Sequence, residues 1–156
     1  MQILHCYNNI PTSKYWTILM EFTQQNSSLN TIISFDKSTV TLSHSKLNLP
    51  CFISPNESKE ISAIDIREID KEFLFPLLSK ESIDLLIIGT GSSPIFLTPK
   101  QQISLSEIGL GVECMNNSSA CSSFNLLLSD LRKVGLLMLW FHTFIKKYLF
   151  FISFLK

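Results

Sequence analysis

The sequence predicts a single α/β domain built on a mixed central sheet. Three observations carry this. Residues 83–89, IDLLIIG, form an apolar run without alternation, the pattern of a strand covered on both faces. A helical segment and a second apolar run follow within about thirty residues, which makes a βαβ unit and implies a parallel strand pair. Ahead of them, residues 31–60 read as a β-meander.

The 156 residues suffice for one domain with a real core. A hydrophobic fraction of 46% excludes a disordered chain, and 13 basic against 13 acidic residues leave no global field for nucleic acid. The opening MQILHCYNNIPTSKYW has neither a basic start nor a long apolar stretch, so no signal peptide is expected and the default compartment is the cytoplasm. Cysteines stand at 6, 51, 114 and 121 and histidines at 5, 44 and 142. No two have the usual zinc-ligand spacing, so no metal or other cofactor is expected and the cysteines read as reduced thiols, some of them in the core.

In the meander, Ile32, Ile33 and Phe35 open one strand. STVTL alternates, with Val40 and Leu42 on one side. LPCFIS reads as the third strand, closed by the turn residues Ser54-Pro55-Asn56. Pro50 suggests that this strand begins at an edge. Residues 66–82 are helical in part, with Ile66, Ile69, Phe73 and Leu74 on one face and Pro76 interrupting the helix or starting a new turn. After the 83–89 strand, residues 98–109 predict a short helix with Thr98 as N-cap, Pro99 at the first helical position and Gly109 as the stop. LGVECM, 110–115, is expected to be a second buried strand. Residues 116–140 then read as one long C-terminal helix, capped by Ser118 or Ser119, with Phe124, Leu127, Leu128, Leu131, Val134 and Met138 supplying its apolar faces. In the tail, Trp140, Phe144, Tyr148, Phe151 and Leu155 fall on one helical face and Lys146 and Lys147 on or near the other. A core-covering extension, an interfacial amphipathic helix and a non-native reading frame all fit it, while its apolar stretch is short for a bilayer span.

The loop Gly89-Thr90-Gly91-Ser92 invites a nucleotide reading, but the third glycine of a dinucleotide fingerprint and the Gly-Lys-Ser/Thr of a P-loop are both missing. The glycines also suit positive φ or close backbone packing. In a βαβ fold the loop still lies at the end of a central strand, where ligands tend to bind. Cys121, near a helix start, is a candidate nucleophile if its pKa is lowered, with His44 as the one histidine within the domain. Glu113 is a candidate lone acid, or else a strand-end residue ion-paired to Arg132 or Lys133. Ser92 and Ser93 lack the G-x-S-x-G elbow of a hydrolase.

DLLIIGTG, LTPKQQISLSEIGLGVECM and ACSSFNLLLSDLRKVGLLML, in that order, resemble the domain of unknown function 498 family, whose eukaryotic relatives include mitochondrial complex I assembly factor 3. The matching positions are Gly89, Thr90, Gly91, Gly109, Gly111, Val112, Glu113, Met115, Ala120, Cys121, Asn125, Asp130, Arg132 and Val134. The resemblance covers residues 20–139 and implies an Mth938-like three-layer fold. Residues 1–19 and 140–156 then fall outside it as an N-terminal extension and a hydrophobic amphipathic tail. Its pocket, carried over, would comprise Gly89, Thr90, Gly91, Ser92, Glu113, Met115, Asn116, Cys121, Asn125 and Arg132. It implies a non-catalytic factor with protein partners among respiratory-complex or membrane-assembly subunits, cytoplasmic or peripheral to the inner membrane. The alternatives are a small-molecule-binding enzyme with a pocket at the Gly-Thr-Gly loop and Cys121, or an inactive remnant of one. Two departures bear on this. The family's Met-Asp-Thr is Met115-Asn116-Asn117 here, and its Arg-Thr-Tyr is Ser122-Ser123-Phe124. Asn116 cannot accept a proton as a carboxylate does, and Ser122 cannot replace a guanidinium.

Overall fold

The computed structural model describes residues 30–139. The expectations for residues 1–19 and for the tail from Trp140 lie outside the described residues. Eight strands and three α-helices follow in the order β1 (Ile32–Phe35), β2 (Thr39–Leu42), β3 (Lys46–Asn48), β4 (Cys51–Ile53), β5 (Ser58–Glu60), α1 (Lys71–Leu78), β6 (Leu85–Gly89), α2 (Pro99–Glu107), β7 (Gly111–Met115), α3 (Asn117–Ser129) and β8 (Val134–Met138). A 3-10 turn, Ile66–Glu68, precedes α1.

Strands β1–β2–β3 form a small antiparallel sheet, and the remaining five form a sheet of order β5-β4-β8-β6-β7. Strand β6 pairs in parallel with β7 and with β8, while β4 runs antiparallel to both β8 and β5, so the central sheet is mixed. One face packs on α3 and the small sheet through Ile87, Leu136, Phe124, Leu128, Val40 and Leu42. The other packs on α1 and α2 through Phe52, Leu86, Ile88, Leu74, Leu77 and Leu105. The result is the expected three-layer α/β arrangement.

Helix α2 forms as its sequence dictates. The Thr98 hydroxyl accepts the Gln101 N–H, the Gln101 side chain returns to the Thr98 N–H, Pro99 occupies the first turn and Gly109 takes φ +76°. Helix α1 continues through Pro76, against the expected interruption. The missing Pro76 N–H would have served the carbonyl of Glu72, an exposed residue.

Four further expectations are corrected. The long helix ends at Ser129, and Val134–Met138 is the middle strand of the large sheet. A six-residue turn closes the helix: the Leu131 N–H donates to the Leu128 carbonyl and the Arg132 N–H to the Leu127 carbonyl, with Leu131 left-handed at φ 57°. A leucine holds the position glycine usually fills, so no stop signal stood in the sequence. The helix is capped by Asn116, whose side chain accepts the Ser119 N–H at 2.8 Å, and not by a serine. The third meander strand is Lys46–Asn48. Residues 51–53 leave the meander after the cis Leu49–Pro50 bond and enter the large sheet as β4, which is flanked on both sides, so Pro50 precedes an interior strand. Finally, β7 is an edge strand and only partly buried, because nothing flanks it beyond β6 among the described residues.

Candidate functional site

The Gly-Thr-Gly loop sits at the C-terminal ends of β6 and β7, where the strand order places a ligand site in many α/β folds. Here the polar groups of Gly89, Thr90 and Gly91 are bonded internally. The Thr90 N–H donates to the Met115 carbonyl at 3.0 Å, and the Leu139 N–H donates to the Gly89 carbonyl at 2.8 Å. The buried Thr90 hydroxyl lies 2.9 Å from the Ser93 carbonyl and 3.2 Å from that of Met115, and accepts the Ile95 N–H at 2.9 Å. Gly91, at φ 99°, donates its N–H to Asn117 Oδ1 at 2.8 Å and accepts the Asn117 N–H at the same distance. A phosphate cradle needs backbone amides aimed outward. Those of Thr90, Gly91 and Ile95 are already taken, and seven residues separate Gly91 from the start of α2. The loop is a hydrogen-bonded knot between β6, β7 and α3.

Gly89 is fixed by this knot. A Cβ there would stand 2.7 Å from Asn117 Oδ1 and 3.3 Å from the Ala120 Cβ. The two asparagines that depart from the family pattern therefore have clear local roles: Asn116 caps α3, and Asn117 clamps Gly91.

Of the remaining candidates, Ser92 belongs to the loop and Met115 meets it through its carbonyl, whereas Cys121, Asn125, Arg132 and Glu113 serve other contacts. Cys121 is buried on α3, with its Sγ 3.7 Å from Met138 Sδ, and burial pushes its thiol up to about 11. Cys51 is pushed up to about 12, first by burial and then by the neighbouring Cys121 and Glu60. Burial also raises the Cys114 thiol, an effect the Leu97 backbone partly offsets. These shifts run opposite to the lowered pKa expected of a nucleophilic Cys121, and His44 stands exposed on the turn between β2 and β3. Asn125 grips β1 in the manner of a neighbouring strand, accepting the Ile32 N–H at 2.9 Å and donating to the Ile32 carbonyl at 2.8 Å. Arg132 follows α3 just ahead of β8, whose first residue pairs with Leu85, so it lies at the opposite end of the sheet from Gly89. Glu113 is exposed on β7, and among the described residues no salt bridge joins it to Arg132 or Lys133. Ser92 is exposed and Met115 packs against the α3 side of the core. Among the described residues no three His, Cys, Asp or Glu side chains gather as a metal site.

A concave surface that the sequence did not signal lies elsewhere. It encloses about 770 Å³ between α1, the approach to β6 and the end of α2, and is lined by Phe75, Leu78, Ile83, Ile108 and Leu110 with Lys71, Glu72 and Glu81 among them. Phe75 is 73% exposed and Ile108 50%. Their only trace in the sequence is that both are apolar off the core-facing stripe.

Residues 32–139 match the family model described as a protein of unknown function, DUF498/DUF598. The chain belongs to that family. It is 31% identical over 85 residues to the NADH dehydrogenase [ubiquinone] 1 alpha subcomplex assembly factor 3 of Xenopus tropicalis, a stretch covering 53% of this chain and 46% of that protein. The chain thus spans about half the length of that relative. Among solved structures, a Bordetella parapertussis protein aligns with TM-score 0.64 at 22% identity, over 72% of this chain and 96% of that one. A Bordetella pertussis Mth938-like domain aligns with TM-score 0.62 at 20% identity, over 76% of this chain and 90% of its own. An outer membrane protein from Bartonella henselae aligns with TM-score 0.63 at 19% identity, over 73% and 97%. At these identities the structures show the fold, which is Mth938-like.

Proposed function

We propose that this DUF498/DUF598 family member is a non-catalytic protein-binding factor that supports assembly of respiratory complex I or another membrane-associated complex. The observation that carries the reading is the 31% identity to a complex I assembly factor across much of the domain. Two features of the site support it. The loop most suited to a ligand spends the Thr90, Gly91 and Ile95 amides on internal bonds, and the thiol best placed for covalent chemistry is buried and pushed up to about 11. The exposed Phe75 and Ile108 beside an apolar concavity suit the side chains of a protein partner. Membrane proximity would come through that partner or through the tail, since among the described residues no helix is long and apolar enough to cross a membrane.

Affinity capture from native lysate, with the full chain and with residues 20–139 as baits, tests this. Quinone-reductase or membrane-insertion subunits on both baits are expected. Their loss from the shorter bait would assign partner binding to the ends, and their absence from both would overturn the assembly reading.

A further inference from the structure

Among the described residues the two sheets have four edges, and three are closed off. On β1, the Asn125 amide occupies both the N–H and the carbonyl of Ile32 on the side away from β2. Strand β3 is only three residues long, and its Asn48 is tied by backbone and side chain to the Glu60 carboxylate at 2.7 Å. Strand β5 is equally short and carries that Glu60. Short strands and side-chain clips of this kind are how proteins keep edges from pairing.

Strand β7 has none of these devices. It is five residues long and contains no proline or lysine. Its inner side is defined by two bonds: the Gly111 N–H reaches the Asp84 carbonyl at 2.9 Å, and the Met115 carbonyl receives the Thr90 N–H at 3.0 Å. In a parallel ladder the inward residues alternate, so Gly111, Glu113 and Met115 bond to β6. The N–H and carbonyl groups of Val112 and Cys114 therefore point outward, and among the described residues no strand pairs with them. Four backbone groups stand ready for an added strand, with one carboxylate, that of exposed Glu113, between them.

That carboxylate selects the occupant. If an antiparallel strand bonds to Val112 and Cys114, Glu113 becomes a non-hydrogen-bonded position, where facing Cα atoms approach to about 4.5 Å and side chains lie closest. A second copy of β7 in the register of greatest overlap would set Glu113 against its own equivalent, and like charges directly opposed are unfavourable. A lysine or arginine there is favoured. We propose that β7 is a docking edge for an extended segment of a protein partner that adds antiparallel to it and places a lysine or arginine opposite Glu113. The open edge of β7 and the charge of Glu113 call for such a segment whichever complex the partner belongs to.

The test uses the full 156-residue chain, labelled for amide NMR. The probe is an acetylated, amidated peptide, Thr-Thr-Val-Val-Lys-Val-Val-Thr-Thr, N-methylated along one edge so that it cannot pair with itself. Titration should shift and protect the Val112 and Cys114 amides. The same peptide with glutamate in place of lysine should bind about fivefold more weakly, the upper range for one cross-strand charge pair. The surface substitution Glu113→Lys should reverse that preference. Three results would overturn the proposal: no change at Val112 and Cys114 at millimolar peptide, equal binding of the two peptides, or amides already protected in the free chain. The last would mean that residues 1–29, residues 140–156 or a second copy covers the edge.

Discussion

The substitution Gly89→Ala isolates the knot beneath the Gly-Thr-Gly loop. A methyl group at Gly89 would lie 2.7 Å from Asn117 Oδ1, well inside contact distance, while its 3.3 Å approach to the Ala120 Cβ needs only a slight adjustment. Two responses are open. Asn117 can swing away, which strips the buried Gly91 N–H of its acceptor and costs about 1–3 kcal/mol. Alternatively it stays, and overpacking costs about 1–3 kcal/mol. Replacing glycine by alanine returns about 0.5–1 kcal/mol of backbone entropy. The expected net loss is therefore about 1–2 kcal/mol, a fall of roughly 1 M in the urea midpoint at an unchanged slope. Asn117→Ala alone loses the same acceptor and costs about 1–3 kcal/mol. The double variant decides the cause. With Asn117 shortened the clash is gone, so Gly89→Ala should be neutral or stabilising by about 0.5–1 kcal/mol in that background. Urea unfolding of the four proteins gives the cycle. An equal cost of Gly89→Ala in both backgrounds would refute the reasoning.

Leu131→Gly should stabilise the chain by about 1 kcal/mol, since Leu131 holds φ 57° and is 73% exposed; a lower melting temperature would contradict the helix-stop geometry. Iodoacetamide at neutral pH should leave Cys121 and Cys51 unlabelled until the chain unfolds, because their thiols are pushed up to about 11 and 12; labelling of native Cys121 within minutes would revive thiol chemistry. The Ser38 N–H, the Thr39 hydroxyl and the Thr39 N–H hold the Asp36 carboxyl down to about 2. A depressed folded-state pKa stabilises the β1–β2 turn above the unfolded value, near 4, and that support is lost as pH falls toward 2. An NMR titration of Asp36 with its midpoint near 4 would contradict these bonds.

The fold was legible where local chemistry and burial agree. Thr98, Pro99 and Gly109 specify α2 almost completely, and the unbroken apolar run of β6 marks a strand covered on both faces. It was illegible where one pattern serves two structures. The Val134–Met138 run fits a helical face as well as a buried strand, and only the left-handed Leu131 separates them, without the glycine that would have announced it. The site was harder to read. Its candidates share one family motif, yet Asn125 clips β1, Cys121 packs on Met138 and Arg132 sits at the far end of the sheet. A motif records which residues recur together in sequence. The contacts that make Thr90 and Asn117 a knot depend on strand register, which becomes visible only in three dimensions.

Depletion tests the proposed assembly role. Cells lacking the chain are compared with cells complemented by it, and respiratory complexes are resolved on native gels. Less assembled complex I and accumulation of a partial complex are expected, with unchanged turnover per assembled complex. Normal levels of the assembled complex in the depleted cells would contradict it.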